Sequence, residues 1–307
     1  MSPSRSVVSV SLGSKTRDHE AVLMLAGEPV NVHRRGVDGD LAEAGRLIGE
    51  LDGQVDAIGL GGIDIALVVG EDRYPIHDAL ALASRASRTP VVDGFGVKAA
   101  YEPEVIRRLA GAGILRPGSR VLMASAMDRY PMARALVDVG LEPIFGDLMF
   151  ASRIDYPIRT IAELAELARK ILPEFTRLPF TMLYPTGAEQ EAESDPRFQH
   201  YFDDADVLAG DFHLLRRYLP ERIDGKVVVT TTTTAADVDL LKRRGASLLV
   251  TTTPRLAGRT FGTNVVEAAL VARGGATYPD PAFSRLVMDS GLEPDIVRLG
   301  VDVDGGR

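Results

Sequence analysis

The stretch that decides the fold is Lys226–Asn264, KVVVTTTTTAADVDLLKRRGASLLVTTTPRLAGRTFGTN. Two short apolar runs, Val227–Val229 and Leu248–Val250, each break straight into a run of threonines. Between them Val238, Leu240 and Leu241 recur at helical spacing, and Gly245 is placed to end the helix. The segment predicts strand, turn, helix and parallel strand, with both threonine runs at one carboxyl edge of a sheet. Ligands of open α/β sheets bind at that edge. Thr230, Thr231, Thr232 and Thr252 are therefore expected to offer hydroxyls and amides to a polar ligand, although threonine also suits an ordinary strand end.

Working outward toward the N-terminus, the same alternation continues. Strands are predicted at Arg120–Ala124, Pro143–Phe145, Thr181–Tyr184 and Val207–Ala209, with helices at Pro131–Gly140, Ile161–Leu172 and Leu214–Leu219. Together with the opening stretch this makes a doubly wound, Rossmann-like sheet of parallel strands. Ahead of it the pattern is mixed. A first strand, Ser6–Ser11, precedes a hairpin of Glu20–Leu25 and Pro29–Arg34, then a helix, Leu41–Leu51, capped by Asp38 or Asp40. Val55–Leu60 is a continuous apolar strand ending in GGID, followed by a hairpin of Ile65–Val69 and Arg73–Ile76 and a strand, Pro90–Val92, that runs into DGFGVK. The expected class is α/β, with a mixed α+β substrate domain over residues 1–115, a Rossmann-like domain over 116–275 and a C-terminal segment over 276–307. Asn264–Ala272 reads as a helix returning to the first domain, and Thr186–Pro196, TGAEQEAESDP, as a solvated loop.

Composition narrows the chemistry. With 307 residues, 45% apolar and 25% charged, the chain has ample material for a core. A net charge of −8 disfavours nucleic acid and anionic membrane as partners, and no apolar run approaches the ~20 residues of a membrane span. The absence of cysteine excludes disulfides, thiolate nucleophiles and cysteine-ligated zinc. His19, His33, His77, His200 and His213 show no metal-ligand spacing, so no metal is expected, and neither a G-x-S-x-G elbow nor a Walker A loop is present. A cytoplasmic protein acting on a small molecule is expected, and a homo-oligomer as the commonest assembly.

The first turn of the Rossmann-like part, VLMASAMDRYPMARAL from Val121, is where a dinucleotide fold places its glycines. Here Ala124-Ser125-Ala126 is small but glycine-free. Ser125 lines the loop, Asp128 is expected to cap the next helix and Arg129 to meet an anion. Asp147 lies about 20 residues on, where an acid contacts an adenosine ribose. NAD or NADP is the cofactor this layout suggests. In the first part, Asp64 follows two glycines at a strand end, and Asp93 and Lys98 share a glycine-flanked loop suited to a proton-transfer pair. Ser9, Ser11, Ser14 and Lys15 after the first strand, and Asn264 before the return helix, could hold a hydroxy or carboxylate substrate.

Through SVSLGS, VDAIGLGGID, TPVVDGFGVK and RTFGTNVVEA the chain resembles a bacterial group described as quinate 5-dehydrogenase-like, and more distantly the shikimate/quinate dehydrogenases. That resemblance implies a substrate domain first, a nicotinamide domain second and a returning helix. It also implies a serine pair on the substrate, matched by Ser9 and Ser11, and a lysine–aspartate pair in proton transfer, matched by Lys98 with Asp93 or Asp64. The family's own lysine motif and glycine-rich NADP loop have no counterpart here. The reading is an NAD(P)-dependent oxidoreductase of a small polyhydroxy or carboxylated metabolite, with Lys98 as general acid/base. Its rivals are a non-redox lyase, isomerase or transferase using the same interdomain cleft, and a metabolite-binding protein without catalysis.

Overall fold

A computed structural model describes residues 5–183, 196–256 and 258–300; the expected acidic loop, up to Asp195, lies outside them. The chain opens with β1 (Arg5–Ser11), β2 (His19–Leu25) and β3 (Glu28–Gly36), then α1 (Leu41–Leu51) and β4 (Ala57–Gly61). The hairpin β5 (Ala66–Val69) and β6 (Asp72–Pro75) follows, then α2 (His77–Ala83), β7 (Val91–Val92), α3 (Phe95–Ala100) and α4 (Glu102–Gly111). Next come β8 (Arg120–Met123), α5 (Tyr130–Asp138), β9 (Glu142–Phe145), α6 (Asp147–Ser152), α7 (Ile161–Phe175) and α8 (Phe180–Leu183). After α9 (Gln199–Asp204) lie β10 (Val207–Ala209), α10 (Phe212–Tyr218), β11 (Val227–Thr230), α11 (Ala235–Arg243) and β12 (Leu248–Thr251). The short pair β13 (Arg255–Leu256) and β14 (Arg259–Thr260), then α12 (Thr263–Gly274), α13 (Pro281–Met288) and β15 (Asp295–Arg298) complete it.

These elements form two compact units. One takes Met1–Glu104, Ala165–Glu189 and Phe261–Leu292; the other takes Val105–Leu164, Gln190–Thr260 and Glu293–Arg307. The division falls inside α4, upstream of the expected boundary at Leu115. The segment expected as a C-terminal tail supplies α13 to the first unit and β15 to the second. The fold class is α/β, with parallel strands in both sheets.

In the first unit the sheet runs β2-β3-β1-β4-β7, with β2 antiparallel and the rest parallel. Helix α12 is apolar nearly all round, and Thr263 to Ala272 are all buried, the signature of a core helix rather than a surface one. It lies so close to the strands that a Cβ at Gly59 of β4 would sit 2.7 Å from the Asn264 carbonyl oxygen. Gly61, at the end of the same strand, likewise faces the helix, with a Cβ there 3.0 Å from Asn264 Nδ2.

The motif DGFGVK, expected as a loop, is a sharp turn into α3. Gly94 takes φ +98, and a Cβ there would meet Thr263 Oγ1 at 2.3 Å. Asp93 Oδ1 accepts from the Phe95 amide at 3.0 Å, which starts the helix and places Lys98 within it.

In the second unit the order is β15-β12-β11-β10-β8-β9, parallel except for β15, which is antiparallel to β12. The expected strand Thr181–Tyr184 is absent from it, since Thr181 to Leu183 belong to α8 in the first unit. Phe180 is buried there and its amide donates to Asp78 Oδ2 at 2.8 Å, which turns a short apolar run into a helix. Runs of that length carry no period that separates helix from strand. An aromatic cluster of Phe150, Phe198, Phe202 and Tyr218 anchors α6 in the core, where the Tyr218 hydroxyl donates to the Phe150 carbonyl at 3.1 Å.

The clash at Gly94 yields a direct test. Gly94→Ala introduces both a left-handed alanine and a contact with Thr263, and is expected to destabilise the fold by about 2 kcal/mol or more in urea unfolding. An unchanged midpoint would contradict the packing described.

Candidate functional site

At the carboxyl edge of the first sheet, β4 and β7 each end in a turn that carries an acid. Asp64 follows Gly61-Gly62-Ile63, and Asp93 follows β7. Lys98 Nζ lies 2.6 Å from Asp64 Oδ1, with the two side chains 5% and 16% exposed. A lysine this deeply buried keeps its charge only beside a partner. Of the two aspartates read as candidate partners, Asp64 makes the contact. Asp93 is committed elsewhere: Oδ1 starts α3, and Oδ2 accepts from the Ile65 amide at 2.6 Å. It therefore fixes the turn carrying Asp64 against the helix carrying Lys98.

The N-terminus of α12 closes this edge. Asn264 is buried and its Nδ2 donates to Ser9 Oγ at 2.8 Å. Ser11 Oγ accepts from Arg34 Nη2 at 2.9 Å and from the Gly13 amide at 3.2 Å. Arg34 in turn donates to Asp18 Oδ1 at 2.8 Å. Ser9 thus pairs with Asn264, while Ser11 belongs to a second set with Arg34 and Asp18; Gly61 lies beside both Asn264 and Ser11. The side chains of Ser14 and Lys15 stand apart from both sets: the Ser14 hydroxyl accepts from the Thr16 amide at 3.2 Å, and Lys15 is exposed, its Nζ 3.8 Å from Asp38.

Sequence reasoning did not place Glu267 in the site. It is 3% exposed, and its Oε2 accepts from the Gly96 amide at 2.9 Å. Burial, reinforced by the charge of Asp93, pushes its carboxyl up to about 8 against the pull of the Gly96 and Gly94 amides and of Lys98. The available signal was a single carboxylate inside the apolar run VVEAALV, a residue type rarely buried without a task.

In the second unit, the carboxyl ends of β8 and β10 flank the point where strand order reverses, the position at which such sheets bind ligands. The loop after β8 is already filled. Asp147 Oδ1 accepts from the Met127 amide at 2.8 Å and Oδ2 from the Ala126 amide at 3.2 Å. Burial of that carboxyl pushes it up to about 7 despite the amides, although the residue as a whole keeps partial exposure. Ser125 Oγ accepts from the Asp211 amide at 3.1 Å. Helix α5 has no side-chain cap, so Asp128 does not cap it as expected; Asp128 instead lies 3.8 Å from buried Arg129.

The threonines are similarly engaged. Thr230 Oγ1 donates to the Gly210 carbonyl at 2.7 Å, and the Thr231 and Thr252 hydroxyls meet at 3.2 Å. All three are buried, and of the four threonines expected at the ligand edge Thr232 alone is exposed. These hydroxyls tie β11 to β10 and to the turn after β12, which is why two threonine runs stand at equivalent positions.

A nicotinamide dinucleotide would compete with Asp147 for this loop. The amides that would receive its pyrophosphate hold Asp147, and Asp147 cannot at the same time receive a ribose. Among the described residues no cluster of histidine, aspartate or glutamate suits a metal ion. No helix of the described residues is long and apolar enough to cross a membrane. A surface groove of about 870 Å³, lined in part by Arg116, Ser119, Asp206, Ser247 and Arg298, lies at the amino ends of the second sheet's strands, away from these groups.

Comparison with known proteins adds a family. One described as Domain of unknown function (DUF8754) matches residues 96–299, and one described as Domain of unknown function (DUF8753) matches residues 6–93. No curated protein matches the sequence. Among solved structures, the 5-methylthioribose transporter solute binding protein from Thermotoga lettingae is similar at TM-score 0.40 and 12% identity, over 96% of this chain and 85% of that one. The NAD-dependent malic enzyme from Thermotoga maritima is similar at TM-score 0.35 and 13% identity, over 88% and 71%. The L-tryptophan dehydrogenase from Nostoc punctiforme is similar at TM-score 0.33 and 11% identity, over 93% and 78%.

Two measurements test the geometry of the first unit. Asp64→Asn leaves Lys98 buried without its carboxylate and is expected to cost about 3 kcal/mol in urea unfolding, with much of the loss recovered in the double variant Asp64→Asn/Lys98→Met. Additive losses would contradict the pair. Glu267 is raised in the fold, so the stability it contributes is complete below the value of about 4.5 for a free glutamate and is lost as pH rises through about 8. The urea midpoint is expected to fall between about pH 5 and 9, and to fall less in Glu267→Gln.

Proposed function

For a chain that belongs to the family described as Domain of unknown function (DUF8754), we propose an acid–base role: proton transfer on a small polyhydroxy or carboxylated metabolite at the carboxyl edge of the first sheet. The observation that carries this is the Lys98–Asp64 pair, 2.6 Å apart, with Lys98 4% exposed. Buried lysines are expensive to keep, and perturbed, specifically paired ionisable groups gather at sites of chemistry. Asp64 is the more exposed partner, so it faces incoming substrate and Lys98 supplies or takes up the proton. Ser9, Ser11 and Asn264 form a polar rim suited to hydroxyl or carboxylate groups. The reaction class is that of a lyase, isomerase or transferase, and no step depends on a redox cofactor.

A second reading, an NAD(P)-dependent oxidoreductase of the same substrate class, is favoured by the strand order of the second unit, which turns at the loop Ala124–Arg129. It requires Asp147 to leave the Ala126 and Met127 amides.

Calorimetric titration separates these readings. Hydroxylated carboxylic acids are expected to bind the wild-type protein and to lose at least tenfold in affinity in Lys98→Met, while NAD+, NADP+ and their reduced forms leave no heat. Nicotinamide binding that Asp147→Asn strengthens would transfer the conclusion to the second reading. Acid binding indifferent to Lys98→Met would contradict the role given to the pair.

A further inference from the structure

Glu267 is a buried acid that the proposed reaction does not itself use. It stands one turn along α12 from Thr263 and Asn264, and it reaches across to the start of α3. A Cβ at Gly96 would lie 2.6 Å from Glu267 Oε1, so only glycine lets the carboxyl dock on that backbone. The start of α3 is then held by two carboxyl groups. Asp93 takes the Phe95 amide at 3.0 Å and Glu267 takes the Gly96 amide at 2.9 Å. Lys98 follows two residues later on the same six-residue helix, so a shift of this start moves Nζ relative to Asp64.

We infer that Glu267 is a positioning residue for Lys98: its carboxyl anchors α3, and its ionisation locks Lys98 in the ammonium form. This rests on the reading of Lys98 as the proton-transfer group. The electrostatics follow from what faces the carboxyl. Asp93 faces it from the turn before α3, Lys98 from α3 itself, and Asp64 acts through Lys98 from the turn after β4. Tyr278, ahead of α13, lies beside Gly96, while Ser9 and Gly59 of β1 and β4 meet the first turn of α12 and do not titrate. With Glu267 neutral, the cluster holds one lysine and two aspartates; ionisation adds a third negative charge. The Lys98 charge makes Glu267 more acidic than burial alone would leave it, and by reciprocity an ionised Glu267 favours the charged lysine. The pair thereby gains an upper pH limit for proton donation and return, set by a residue that never touches substrate.

The chain has five lysines, Lys15, Lys98, Lys170, Lys226 and Lys242, so carbon-13 NMR of protein labelled at lysine Cε resolves each of them. Lys98 is assigned by replacing the other four, one at a time, with arginine. In the wild-type protein the Lys98 Cε resonance is expected to step near pH 8, where burial places the Glu267 carboxyl, and the step is expected to vanish in Glu267→Gln. Labelling glutamate at the carboxyl carbon supplies a reading that needs no variant: its Glu267 titration should coincide with the Lys98 step. A step that persists in Glu267→Gln, or a wild-type Lys98 resonance flat from about pH 6 to 9, would overturn the inference. Neither result depends on any ligand binding, so failure of the proposed function in the calorimetric titration is a separate outcome.

Discussion

The close approach of α12 to the strands and turns of the first unit governs the rest of that unit. A helix buried on nearly every side can lie against a sheet only where the facing residues yield room, and Gly59, Gly94 and Gly96 yield it. Once seated, the helix delivers Asn264 to Ser9 and Glu267 to Gly96. The Gly94 turn directs the chain into α3 and so brings Lys98 to Asp64. Substituting these glycines acts first on packing and only through packing on chemistry.

The two units handle charge in contrasting ways. In the first, a cation and three acids are gathered at one sheet edge, and the groups hold one another in place. In the second, the loop amides that resemble an anion seat are satisfied from within by Asp147, which the aromatic cluster around Phe150 fixes through α6. Its threonine hydroxyls are closed in the same manner on carbonyls and on each other. The first edge gathers its ionisable groups in a paired cluster, while the second uses its polar groups to complete a fold.

The parts that were legible in the sequence are those where period and boundary residues agree. The hairpins, α1 and its Asp40 cap, the β11-α11-β12 segment and the return helix all combined clear apolar spacing with a cap or a glycine stop. Thr181–Tyr184 misled because a run of four residues fits either structure, while Phe180, just ahead of it, is buried and bonded to Asp78. The β15 strand was hidden because it is an edge strand of four residues with no buried position. At the candidate site, the pairing of Lys98 was narrowed to Asp64 or Asp93, but the choice depends on a turn set by Gly94 and α12, and no local pattern encodes it. Asp147 was singled out for its spacing from the loop, and it does reach that loop, yet as the occupant of the amides rather than the partner of a ribose.

Solvent-exchange NMR bears most directly on the central claim, that Lys98 and Asp64 move a proton on a bound small acid. A panel of hydroxylated and keto carboxylic acids would be incubated with the protein in deuterated water and followed for deuterium uptake at carbon. The account predicts uptake into at least one member that binds, abolished in Lys98→Met and strongly slowed in Asp64→Asn. Binding without uptake, or uptake that survives loss of Lys98, would contradict it.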